Sequence, residues 1–285
     1  MDKTFLELYQ KKYQLDHTII KQGKESIALD QHKHATFDRE KPIYIFDLDH
    51  TLLNTTTLKE TLRHALTSYD VTPERWDATY KEAKTAQNFY DFEGHLDILA
   101  TFISSLGKTV STVQLQERLF AATSKQADSF IYPAIATYFE QHTPANWMIL
   151  TSGSVTTQRH KITGILALLH QQPQLIAITA NTFKGQVIRE LYPILQQHIT
   201  LPHLVIVEDN LSELQDIQQQ NPNLPLTLVR LKQPHGLYNS NKNTSSTIFD
   251  IDLEAYPNHD LYQELQKILW KLLSLPPVTD RVLPR

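Results

Sequence analysis

The chain has no cysteine in its 285 residues. Disulfides, thiolate metal sites and cysteine nucleophiles are therefore excluded. Glycine is scarce as well: seven residues, where a typical share of ~7 % gives about twenty. Two of the seven stand at informative places, Gly153 after the apolar run Trp147–Leu150 and Gly185 after Lys184. There is no basic tract, and the net charge is −4, so nucleic-acid binding has no electrostatic footprint. No apolar run reaches the roughly 18–20 residues of a membrane span. Met1-Asp2-Lys3-Thr4 lacks the basic start and apolar stretch of a secretory signal. A soluble, cytoplasmic protein is expected, with neither a nucleic-acid nor a membrane partner. What is present is globular: 41 % hydrophobic and 20 % charged residues, enough for one core with a sizeable insert.

Five short apolar runs have the character of buried parallel strands. They are Ile43–Phe46, Trp147–Leu150, Leu175–Ile178, Leu204–Val207 and Leu226–Leu231. Helical spacing joins the last four. Arg159–His170 carries Ile162, Ile165, Leu166 and Leu169 on one face, Val187–Ile199 carries Leu191, Ile194 and Leu195, and Ser212–Gln220 starts with a candidate N-cap in Ser212. The alternation predicts an α/β, Rossmann-like parallel sheet of about five strands with right-handed crossovers. About a hundred residues separate the first two runs, far more than a crossover needs. Their periodicity is helical, so an all-helical insert is expected over 55–130, splitting a core of 41–54 and 131–285. The ends are plainer. Residues 1–40 read as a partly helical extension (Phe5, Leu8, Tyr9, Tyr13), 233–247 as a loop, and Asp260–Leu275 as a closing amphipathic helix.

Chemistry in such sheets sits at the carboxyl ends of the strands. Four of these ends are polar: Asp47 and Asp49 after the first, Thr151-Ser152-Gly153 after the second, Lys184 following the third, and Glu208-Asp209 after the fourth. Four carboxylates brought together would repel one another strongly. A hard divalent cation relieves that, and Mg²⁺ prefers a few carboxylate oxygens together with water and phosphate oxygens. Lysine and hydroxyl groups would hold what remains of a phosphoryl group.

These residues carry a family resemblance. Asp47–Thr51 (DLDHT) resembles the D-x-D-x-T motif of haloacid dehalogenase (HAD) superfamily phosphatases. Thr151 in MILTSGS, Lys184 in TFKG and Glu208-Asp209 in VIVEDN resemble the three later motifs, in order, over Pro42 to Leu231. The insert stands where many members carry a helical cap. The resemblance implies Asp47 as nucleophile and Asp49 as general acid and base. It implies Mg²⁺ held by Asp47, Asp49 (through its main chain), Asp209 and Glu208. Thr151, with the amides of Ser152 and Gly153, would bind the phosphate, and Lys184 would neutralise charge. Glu213 stands where many members have a further Asp, and is either a supporting group or an ordinary helix residue.

The implied activity is Mg²⁺-dependent hydrolysis of a small phosphorylated metabolite. Transfer to another acceptor, as in mutases, and a HAD-shaped binding protein are the alternatives. Blander roles are expected elsewhere. Thr51 fits a hydroxyl bonding the loop backbone, and His50 a solvent or cap contact. Trp76, Tyr80, Phe89, Tyr90 and Phe92 fit helical core packing better than a pocket lining.

Overall fold

The computed structural model describes residues 7, 10–12, 15–22, 25–33, 36–84, 89–142, 144–179, 184–200, 203–234, 238, 242–243, 245–253 and 260–273. Among them are eight strands: β1 Leu15–Gln22, β2 Glu25–His32, β3 Ile43–Phe46, β4 Trp147–Ser152, β5 Leu175–Thr179, β6 Leu204–Glu208, β7 Leu226–Lys232 and β8 Ile248–Asp252. Four helices, α1 Thr55–Ala65, α2 Pro73–Glu82, α3 Phe92–Ser105 and α4 Thr112–Lys125, lie between β3 and β4 and precede α5 Pro133–His142. Further α-helices among the described residues are α6 Val155–Leu169, α7 Lys184–Leu195, α8 Leu211–Gln220 and α9 Leu261–Leu273.

The strands form one sheet in the order β1-β2-β5-β4-β3-β6-β7-β8. All five expected strands are there, parallel to one another at its centre. Their apolar runs are continuous because both faces are covered. Tyr44, Phe46, Trp147, Ile149, Val205 and Val207 pack on one side with residues of α5, α6 and α9. Ile43, Ile45, Met148, Leu150, Leu204 and Ile206 pack on the other with α7 and α8. Odd and even positions of each strand thus enter different cores, as the two-residue period of a strand requires.

Three strands were not expected. Residues 1–40, read as a partly helical extension, are helical at residues 7 and 10–12 and also contain the antiparallel hairpin β1-β2, which adds to the edge of β5; Phe5, Leu8, Tyr9 and Tyr13 lie outside the described residues. The polar letters of ESIALDQH hide a strand whose partners lie elsewhere in the chain. Ile27 and Leu29 enter one core and Ala28 the other. Asp30, fully buried, accepts from Arg159 of α6 through both oxygens (2.9 and 2.7 Å), and His17 stands 2.7 Å away. The hairpin is thereby tied to α6. On the opposite edge, β8 pairs in parallel with β7. Asn210, not Ser212, caps α8, its Oδ1 accepting from the Ser212 amide at 3.0 Å.

The helical insert has its own apolar cluster, built on Leu62, Leu66, Trp76, Leu96, Leu99 and Leu115. One polar group lies inside it. His95 is 1 % exposed, between Tyr90 and Thr79 at 2.9 Å each. The Thr79 hydroxyl donates to the carbonyls of Arg75 and Trp76. It therefore accepts from His95 Nε2–H, and His95 Nδ1 accepts from the Tyr90 hydroxyl. The neutral ring is satisfied, and its apolar surroundings disfavour a charge. Burial accordingly lowers its pKa from 6.5 to about 4. An unfolded histidine binds its proton first, so this contribution to stability is present above about pH 6.5 and is lost as pH falls toward 4. The loss amounts to roughly 3 kcal/mol. Thermal melts at pH 7 and pH 4.5 should show less acid sensitivity for His95→Gln than for wild type; equal sensitivity would refute this assignment.

Candidate active site

The site begins where β3 ends. The Asp47 amide still pairs with Val207 of β6 (2.9 Å), and the chain then turns sharply. Leu52 and Leu53 donate back to the Leu48 carbonyl, and His50 takes the left-handed region at φ 63°. Leu48 and Leu52 are fully buried and hold the loop down, so Asp47 and Asp49 stay fixed at the sheet edge. His50 is itself buried rather than turned to solvent; burial pushes its pKa down, and Lys59 of the insert is among the charges acting on it. Thr51 is a second correction. Its hydroxyl has no hydrogen-bond partner, and its carbonyl instead accepts from Gln233 at 3.1 Å.

Asp47, Glu208 and Asp209 converge, each offering an oxygen within 4.8 Å of the others, and all three are buried. Lys184 enters from the first turn of α7. Its ammonium donates to Asp47 Oδ1 at 2.6 Å and to Glu208 Oε2. Burial alone would lower the Lys184 pKa, but Asp47, Glu208 and Glu213 outweigh it and hold it above the usual range. Asp47 and Asp209 are pushed well up, by burial first and then by the charge of Glu208. Asp209 Oδ2 is buried with no partner. Three oxygen donors, one unpartnered buried oxygen and one ammonium make a set deficient in positive charge, which suits a hard divalent cation such as Mg²⁺.

Glu213 belongs to the support of Lys184: it takes the Lys184 backbone N–H while Oε2 stays buried and unpartnered. Gly185 sets the same helix. A Cβ there would stand 2.8 Å from the Asp216 carbonyl oxygen, so α7 reaches α8 this closely only because the residue after Lys184 has no side chain.

Asp49 stands outside the acidic cluster, though its charge reaches Asp47. Its oxygens take Thr55 Oγ1 at 2.6 Å, Gln158 Nε2 at 3.0 Å and Lys161 Nζ at 2.8 and 2.9 Å. Burial would raise its pKa, but the Lys161 charge and these hydrogen bonds outweigh it and hold the carboxyl well below the usual range. Gln158 and Lys161 were missed in the sequence. They lie on one face of α6, three residues apart, and nothing local marks that face as the one turned to the site.

Gln158 joins two parts of the site. Its Nε2 also lies 2.6 Å from Thr151 Oγ1 and 3.0 Å from the Ser152 carbonyl. With Thr151 Oγ1 accepting, the hydroxyl proton points elsewhere, free to donate. Gly153, at φ 149°, leaves the space Gln158 occupies: a Cβ would come within 3.1 Å of it. The expectation that the Gly153 amide faces a phosphate is corrected, since it donates to the Thr179 carbonyl at 2.9 Å. Gln158→Leu frees the Thr151 hydroxyl and removes one of the hydrogen bonds that hold Asp49; kcat/KM for a phosphate ester, the activity proposed below, is expected to fall about 10²-fold, and a change under threefold in steady-state kinetics would contradict the linkage.

No family model and no curated protein sequence matches the chain. Solved structures do. A haloacid dehalogenase-like hydrolase from Burkholderia xenovorans LB400 superposes with a TM-score of 0.52 at 18 % identity, covering 78 % of this chain and 99 % of that one. The HAD-hydrolase YfnB from Bacillus subtilis, bound to magnesium, gives 0.45 at 15 % identity, over 81 % and 99 %. CbbY from Rhodobacter sphaeroides, in complex with phosphate, gives 0.43 at 11 % identity, over 76 % and 96 %. From its parallel central strands, and from the first of these matches, the chain adopts the fold of the haloacid dehalogenase-like hydrolases.

Proposed function

We propose that the protein is a Mg²⁺-dependent phosphatase that hydrolyses a small phosphorylated metabolite through a phosphoryl-aspartate. One observation carries this reading: Asp47, Glu208 and Asp209 share a buried site with too little positive charge of its own. Mg²⁺, when bound, supplies that charge to the carboxylates and to the phosphoryl oxygens. Asp47, Glu208 and Asp209 would hold it with side chains and Asp49 with its main chain.

Asp47 attacks phosphorus and the ester P–O bond breaks. The leaving oxygen takes a proton from Asp49. Water then attacks phosphorus, Asp49 accepts its proton, and the bond to Asp47 breaks. Asp49 stands ionised in the arrangement described, the form needed for the second half. For the first half it carries a proton, which it regains from the attacking water in the second, so the cycle balances. Thr151 donates to a phosphoryl oxygen in the orientation Gln158 imposes, and Lys184 offsets charge on Asp47 and on the phosphoryl group. The helical insert is read as a cap that excludes water and selects the substrate. It reaches the core at Thr55, which bonds Asp49, and at the Phe92 amide, which donates to Thr157 of α6 at 3.1 Å.

The test is turnover of an aryl phosphate. Removing the cation with a chelator should cut the rate at least about 10²-fold, and adding Mg²⁺ back should restore it. Turnover indifferent to chelation would contradict the proposal.

A further inference from the structure

A cleft of about 250 Å³ opens in the insert between α1 and α2. Its lining starts at Thr56, one residue after a side chain that bonds the candidate site. Thr55, the first residue of α1, bonds Asp49. Lys59 and Arg63 follow at four-residue steps on the same helix face, about 6 and 12 Å further along the axis, and both line the cleft. Lys59 is partly buried. Burial pushes its pKa down while the Asp49 carboxylate pulls it up, so the cleft and the reacting carboxylate share one electrostatic field. Its ammonium lies 4.9 Å from the centroid of the Tyr80 ring.

Neither cation has a carboxylate within salt-bridge distance among the described residues, and Arg63 Nε is buried without a partner. Glu60 and Asp77 also line the cleft, and Glu74 feels the charge of Arg63, but all three are exposed, where water and salt screen them; the less exposed cations are screened less. Trp76 and Tyr80 give the cleft an aromatic wall.

We infer that the substrate carries a second anionic group, a carboxylate or a second phosphate, which Lys59 and, in longer compounds, Arg63 bind. This rests on the proposed phosphatase reading and narrows its substrate class. Charge alone distinguishes such a compound from a simple monoester, so matched pairs isolate the effect. 3-Phosphoglycerate and glycerol 3-phosphate differ at the end carbon, carboxylate against hydroxymethyl. Fructose 1,6-bisphosphate and fructose 6-phosphate differ by one phosphate.

The experiment measures binding by calorimetry with Mg²⁺, using Asp47→Asn protein so that nothing is consumed. The anion-bearing member of at least one pair should bind tenfold or more tightly than its partner, the range expected for a charge-assisted hydrogen bond. The responding pair identifies carboxylate or phosphate. Adding Lys59→Gln and Arg63→Gln together should bring the ratio within twofold; Lys59→Gln alone, with a melt to confirm folding, repeats the test under a milder change. Ratios within twofold in both pairs overturn the inference, as does a tenfold preference that survives the double substitution. Because binding is read without turnover, either result is separable from failure of aryl phosphate hydrolysis.

Discussion

Asp47→Asn should lose about 10⁴-fold or more in turnover, while the metal-free protein becomes no less stable. In the proposed reaction the activity loss follows from removing the attacking oxygen: an amide is a poor nucleophile, and one missing nucleophile disables the whole constellation. The stability result has the opposite sign for a physical reason. Asp47 is buried beside Glu208 and Asp209, and Lys184 is the one ammonium reaching it among the described residues. Burial and the Glu208 charge already disfavour its ionised form. A neutral amide of the same shape removes one of three crowded charges and still accepts from Lys184. Melting temperature in the presence of chelator and kcat on an aryl phosphate measure the two effects separately. A variant that loses both together would point to a structural role for Asp47.

Lys184→Met should be costly in both respects. Lys184 is 4 % exposed and bonds Asp47 and Glu208 at once. Its removal leaves two buried carboxylates without compensation, a loss of about 3 kcal/mol. At ~2–4 °C per kcal/mol for chains of this size, melting should fall by roughly 10 °C without metal. Mg²⁺ should restore more of that loss in the variant than it adds to wild type, because the cation then offsets charge that Lys184 no longer does. Turnover should fall at least about 10²-fold even with Mg²⁺. Activity within tenfold of wild type, or a melt indifferent to Mg²⁺, would remove Lys184 from the account.

These expectations divide according to what a sequence makes legible. The central strands could be read because each is a short apolar run buried on both faces, and their polar ends then fell on one edge. Asp47, Glu208 and Asp209 meet there because parallel strands bring their carboxyl ends together. The hairpin was hidden because its order comes from β5 and from the Asp30–Arg159 pair, partners 129 positions apart. Each of that pair alone looks like a surface residue. Gln158, Lys161 and Lys59 were hidden for a related reason. A polar residue on an amphipathic helix ordinarily faces water, and only tertiary packing turns it toward Asp49 or into the cleft. Gly153 shows the limit from the other side: its scarcity marked the position, but the structure gives the freed space to a glutamine side chain rather than to a ligand.

In the proposed reaction Asp47 carries the phosphoryl group between substrate and water. Rapid acid quenching of the enzyme during turnover with Mg²⁺, followed by mass spectrometry of its peptides, tests it directly. An acid-stable, hydroxylamine-labile phosphoryl adduct is expected on the peptide holding Asp47, absent from Asp47→Asn. A phosphoryl adduct on another residue, or undiminished turnover by Asp47→Asn, would contradict it.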